Sequence, residues 1–167
     1  MIDIDEIKDD LNTDYIVPNT YLEEKKEKMK IEIKYNEKYI LFQSDKKGAI
    51  SLECFNQNQE CINRRADYII ITVKNNTIHC VIIELKKNDD PREQLILTEY
   101  FAQFMLNRIC YKYYKNKKFP NIVFRKIGAF KDKIPGKFKT LTKPSKIYND
   151  KGFAYIDKNT LLLGAYL

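Results

Sequence analysis

Hydrophobic and polar residues change their spacing several times along this 167-residue chain, and each change marks an element. Residues 2–11 predict a short acidic helix. Thr20, with Glu23 three positions on, predicts a capping-box start for a second helix ending near Met29. From Lys30 the texture becomes alternating: Ile31, Ile33 and Tyr35, then residues 39–42, predict a hairpin around Asn36 and Glu37. Gly48 breaks the chain before another expected strand at 49–55, and a polar loop occupies 56–64.

Two β-branched runs follow, 67–73 and 78–85, joined by a turn containing Asn75 and Asn76. Neither run alternates, which predicts strands buried on both faces at the centre of a sheet covered by helices. Asp90 is expected to cap a helix with Pro91 at its first position and Glu93 closing the box. That helix should run to about Tyr114. It is apolar on most of its circumference, so it should pack on the sheet and also against something more, such as a second subunit. A strand at 122–130 comes next. Pro135, Gly136 and Pro144 then break up a basic loop before closing strands at 153–156 and 160–166. The order of helix, strands, central hairpin, long helix and strand defines a mixed α/β (α+β) class with the sheet between helices.

The length suits one domain over 1–167, with an N-terminal part at 1–48, a core at 49–130 and a basic loop with closing strands at 131–167. No stretch approaches the roughly 20 apolar residues that span a bilayer, and the acidic N-terminus lacks the apolar region of a secretory signal. Four cysteines without close pairing point to reduced thiols and a cytoplasmic protein. Cys54, Cys61, His79 and Cys80 could supply zinc ligands, but adjacent strand residues such as 79 and 80 point to opposite faces.

The net charge of +7 conceals a gradient along the chain. Residues 1–29 hold nine acids against four bases, whereas 112–146 hold twelve Lys or Arg against the single acid Asp132. Such a tract is the electrostatic footprint of a phosphate-backbone binder, and in a chain with 25 lysines it is also an ordinary solubilising surface.

Glu-x-Lys recurs at 6/8, 23/25, 24/26 and 32/34, so the pattern alone carries nothing. Its context at Glu84 and Lys86 differs: Glu84 closes an apolar strand whose neighbour begins at Asp67, and antiparallel pairing brings Asp67 to the same sheet edge. Residues 84 and 86 share a face. Two carboxylates at 4 Å repel by about 4 kcal/mol at an effective dielectric near 20, a cost that a hard divalent ion such as Mg²⁺ or Mn²⁺ relieves. Carboxylates, metal and lysine together suit hydrolysis of a phosphodiester.

These residues resemble the PD-(D/E)XK nuclease superfamily, which includes restriction endonucleases, Holliday-junction resolvases and defence and repair nucleases. The resemblance covers about residues 49–130. It rests on Arg65-Ala66-Asp67 on one strand and Ile83-Glu84-Leu85-Lys86 on the next, followed by the capped helix. It implies a restriction-endonuclease-like core in αβββαβ order. Asp67 and Glu84 would be metal ligands, the Leu85 carbonyl a third, and Lys86 the catalytic lysine. Glu53 and Gln94 match the upstream acid and helix glutamine that some members carry. Ala66 stands where many members have proline, and Thr98 where one subgroup has tyrosine.

The implied activity is Mg²⁺- or Mn²⁺-dependent endonucleolytic cleavage, of DNA before RNA, in defence, restriction or repair. Arg64, Arg65, Lys87, Lys131, Lys133, Lys137 and Lys139 are the expected phosphate contacts, and a homodimer is expected because small nucleases of this kind often pair. Two other readings stand beside it: a non-cleaving nucleic-acid-binding or assembly module of the same fold, and a protein-interaction domain.

Overall fold

The computed structural model describes residues 2–48, 64–115, 118–139, 147–149 and 152–167. The expected strand at 49–55, with Glu53, lies outside the described residues, as do Cys54, Cys61 and the side chains of Lys137 and Lys139.

The fold is α+β. In chain order the elements are α1 (Ile4–Asp9), β1 (Tyr21–Glu24), β2 (Met29–Lys34), β3 (Tyr39–Gln43), β4 (Tyr68–Lys74), β5 (Thr77–Lys86), α2 (Arg92–Tyr114), β6 (Asn121–Phe130), α3 (Gly136–Lys139), β7 (Phe153–Ile156) and β8 (Thr160–Leu162). Single 3₁₀ turns cover Thr13–Tyr15 and Leu163–Tyr166. Among the described residues two mixed sheets form, β3-β4-β5-β6-β7 and β1-β2-β8.

The hairpin at the centre forms as its sequence predicts. β4 and β5 pair antiparallel from Tyr68↔Ile83 to Lys74↔Thr77, and Asn75 and Asn76 take positive φ, 50° and 57°, the backbone of a two-residue turn whose twist matches the strands. β6 then adds parallel to β5 after the α2 crossover, and β7 adds parallel to β6. Both faces of the hairpin are buried. Ile69, Ile71, Ile78, Cys80 and Ile82 join Ile4 and Ile7 of α1 and Leu95, Ala102 and Leu106 of α2 in one core. Tyr68, Ile70, Val81, Ile83 and Leu85 join Leu22, Ile31 and Ile33 in the other.

The second core corrects the expected helix sandwich. Among the described residues helices cover one face of the large sheet and the small sheet covers the other. The helix expected from Thr20 to Met29 is instead the β1–β2 hairpin, with Tyr21↔Glu32 through Glu24↔Met29 in register. Local capping propensity loses here to burial, because an extended chain sets Leu22, Met29, Ile31 and Ile33 on a single inward face. The Tyr68 hydroxyl also grips the new strand, accepting from the Glu23 N–H at 3.2 Å and donating to the Glu23 carbonyl at 2.9 Å.

The hairpin expected around Asn36 and Glu37 does not form. β2 pairs with β1 and β8, β3 pairs with β4, and the 35–38 segment crosses from one sheet to the other. The helix start also differs from expectation. Pro91 has helical φ and ψ and the Asp90 carboxylate accepts from the Arg92 N–H at 3.0 Å, but Glu93 pairs with Arg64 instead of closing a capping box. The last expected strand is β8 for three residues and then a 3₁₀ turn. Among the described residues no helix is long and apolar enough to cross a membrane.

Candidate functional site

The end of the central hairpin is held by hydrogen bonds to most of the backbone polar atoms of residues 65–67. The Gln94 side-chain amide donates to the Arg65 carbonyl at 2.9 Å, and one turn along α2 the buried Thr98 hydroxyl accepts from the Ala66 N–H at 2.8 Å. Ser44, just past β3, donates its hydroxyl to the Ala66 carbonyl at 2.6 Å and its amide to the Asp67 carbonyl at 2.9 Å. Two neighbouring elements therefore fix the backbone that carries Asp67.

Asp67 and Glu84 then lock to each other. The Asp67 N–H donates to Glu84 Oε2 at 3.0 Å, and the Leu85 N–H donates to Asp67 Oδ2 at 2.6 Å. Lys86 Nζ lies 2.7 Å from Glu84 Oε1. Glu84 is 1% exposed and Asp67 9%, so this is a charged cluster withdrawn from water. Burial pushes the Asp67 carboxyl up, and the neighbouring Glu84 adds to the effect. Glu84 is raised too, again by burial first, with Lys86 acting in the opposite direction.

Two further acids converge there. Carboxylate oxygens of Glu24, at the end of β1, Asp45, two residues past β3, and Asp67 lie within 4.8 Å of one another. The Asp45 carboxyl is also raised, by partial desolvation and then by Glu24. An all-carboxylate donor set of this size fits a hard divalent ion such as Mg²⁺ or Mn²⁺ and suits softer metals poorly. The small sheet thus supplies a ligand candidate to the end of the large one.

The expected residues separate into three groups. Asp67, Glu84, Leu85 and Lys86 come together, with Leu85 contributing its amide to Asp67. Gln94 sits beside them but spends its amide on backbone, so it positions Asp67 without contacting a carboxylate. The basic residues are dispersed. Arg64 pairs with Glu93, and half-buried Arg65 lies in the field of Asp45. Lys87, Lys131 and Lys133 are exposed beyond the ends of β5 and β6. Of the zinc candidates, Cys80 is fully buried in the helix-side core while His79 is half-buried on the neighbouring position of β5.

Glu24, Asp45, Ser44 and Thr98 are what sequence reasoning missed. Glu24 was hidden by its assignment to a helix. Ser44-Asp45 carried a usable signal, since it follows an apolar strand much as Ala66-Asp67 precedes one. No family model matches the chain, and neither a curated protein nor a solved structure is similar to it at a significant level.

Proposed function

We propose that this protein is a divalent-metal-dependent nuclease built on a restriction-endonuclease-like core. The observation that carries the reading is the convergence of Asp67, Glu84 and Lys86 at the end of a buried hairpin, with Glu24 and Asp45 beside Asp67. With β1 and β2 intervening after α1, the helices and large-sheet strands follow as α1, β3, β4, β5, α2 and β6, which supports the core assignment with β3 in place of the strand expected at 49–55. Buried Asp67 and Glu84, with half-buried Glu24 and exposed Asp45 beside them, place acids close enough together to destabilise a fold unless a cation or protons compensate them.

In this reading Asp67, with Asp45 and Glu24, holds Mg²⁺ or Mn²⁺. The ion, when bound, makes a coordinated water more acidic and neutralises charge on a phosphate. Glu84 anchors the assembly by accepting the Asp67 N–H and by fixing the Lys86 ammonium at the strand end. Lys86 is there to meet negative charge as it develops on the phosphate.

A nucleic-acid strand has a neighbouring surface to follow. A cleft of about 700 Å³ is lined by Lys28, Lys30 and Lys131 together with Tyr21 and the acids Glu32 and Asp132, so its cations outnumber its acids. It adjoins the site through two contacts: Met29 pairs with Glu24 across β1–β2, and the Lys131 N–H donates to the Lys86 carbonyl at 3.1 Å. Cations from separate segments around one opening suit a phosphate backbone.

The test is incubation of plasmid DNA and of a structured RNA with the protein in Mg²⁺, in Mn²⁺ and in chelator. Metal-dependent cleavage of one or both supports the reading, and the substrate cut decides DNA against RNA. Absence of cleavage in both metals, with the acids intact and the protein folded, contradicts it.

A further inference from the structure

α2 is apolar on two opposite sides. Leu95, Thr98, Ala102, Leu106 and Ile109 face the large sheet and are buried. On the opposite side Tyr100, Phe104 and Tyr111 are 66%, 64% and 62% exposed, and Ile96 on the flank is 38% exposed. Among the described residues, four of the seven exposed large hydrophobic side chains lie on this one helix. Scattered apolar surface is ordinary, but an aligned stripe of aromatics marks an interaction face.

The spacing of the stripe specifies the shape of its partner. Leu97, Tyr100, Phe104, Asn107 and Tyr111 recur at intervals of three, four, three and four, the seam by which one helix receives the side chains of another. A partner must therefore present a long helix of similar spacing. Among the described residues α2 itself, with 23 residues, is the only such helix; α1 has six and α3 four.

The stripe also meets the requirement of a two-fold contact, in which one patch must fit itself. Its five positions carry no charge, so identical copies meet without like-charge repulsion. An aromatic side chain covers roughly 150–250 Å². Three of them at about two-thirds exposure, with Ile96 and Leu97, offer on the order of 500 Å² per copy, or about 1,000 Å² for a pair, the lower bound for a specific interface. Asn107 within an otherwise apolar seam is the kind of polar residue that selects one pairing register.

We propose that the protein is a homodimer joined by face-to-face packing of α2, with Phe104 at the middle of the seam. This stands apart from the nuclease reading, because the stripe lies on the side of α2 away from the sheet and includes none of the site residues. The partner of stated chemistry is a second copy of this chain.

The experiment is sedimentation equilibrium on the full chain from about 1 to 100 µM, for wild type, Tyr100→Glu/Phe104→Glu and the control Gln103→Glu, each checked for retained secondary structure. Wild type and the control should show a dimer mass, and the double variant the monomer mass with its folded spectrum intact. A single exposed substitution, Phe104→Ala, backs up the double variant should that one fail to fold, and should raise the dissociation constant at least tenfold. Wild type that remains monomeric at 100 µM overturns the proposal, as does a dimer whose affinity neither seam variant changes. A monomer that nonetheless cleaves nucleic acid overturns the dimer alone and leaves the nuclease reading standing.

Discussion

Asp67 and Glu84 face each other across the mouth of the central hairpin, and the Asp67 N–H donates to Glu84 Oε2 at 3.0 Å while the next residue, Leu85, returns an N–H to Asp67 Oδ2 at 2.6 Å. The two acids are thus cross-braced by backbone before any ligand arrives. A site built this way is pre-formed, because each carboxylate is oriented by the other residue's strand.

Metal affinity should depend on Asp45 as well as on Asp67, since both carboxylates lie within 4.8 Å of Glu24 in the same group. Calorimetric titration with Mn²⁺ should show binding to wild type that is weakened by roughly 10–100-fold or more in Asp45→Ala and in Asp67→Ala. Affinity unchanged in Asp45→Ala would confine the site to the hairpin acids.

Stability without metal should fall as pH rises. Burial raises the Asp67 carboxyl above its unfolded value, so the folded state binds the proton more tightly. That contribution is complete below the ordinary carboxylate range near pH 4 and is lost as pH climbs through the raised value. In chelator, the melting temperature of Asp67→Asn relative to wild type should therefore rise between pH 5 and pH 8, and added Mg²⁺ should narrow the difference by stabilising wild type. A difference that does not vary with pH would contradict this account.

Thr98→Val keeps the side-chain volume but leaves the Ala66 N–H without its acceptor inside a buried segment. The expected cost is about 1–3 kcal/mol in chemical denaturation, with metal affinity reduced because the chain leading to Asp67 is no longer held. Equal denaturation midpoints would show that water replaces the hydroxyl.

The central hairpin was legible in the sequence because it is over-determined. Two β-branched runs, a short Asn-rich turn and acids at both open ends all require the same register. The β1–β2 hairpin was not legible, because Thr20 and Glu23 satisfy a helix start locally and only the distant apolar face of β4 and β5 rewards an extended chain for Leu22 and Ile31. Glu24 was invisible for the same reason: its approach to Asp67 is set by how two sheets stack, which no local spacing encodes, whereas Asp45 follows a strand that pairs with β4 in the same sheet. α2 announced two apolar faces, and the sheet accounts for one of them.

Nucleic-acid binding should decline with salt and should weaken when Lys28 and Lys30 are both changed to Glu, with Lys131→Glu adding to the loss. Each phosphate contact removed should flatten the salt slope by about 0.9 for a duplex. Fluorescence anisotropy on a labelled oligonucleotide in chelator measures this without cleavage. Wild-type affinity and slope in the triple variant would mean that the cleft beside the site does not carry the strand.

The most direct measurement is single-turnover cleavage in Mg²⁺ by wild type and Lys86→Ala, alongside melting curves and binding in chelator. Lys86 pairs with the buried Glu84 carboxylate at 2.7 Å, so its loss should lower the melting temperature while leaving substrate affinity close to wild type, and rates are compared below the variant's transition. If it meets charge that appears only as the phosphate reacts, the rate should fall by at least ~100-fold. A variant that is folded at the assay temperature and still cleaves within about threefold of wild type would contradict the assignment of Lys86 and the nuclease reading of this hairpin with it.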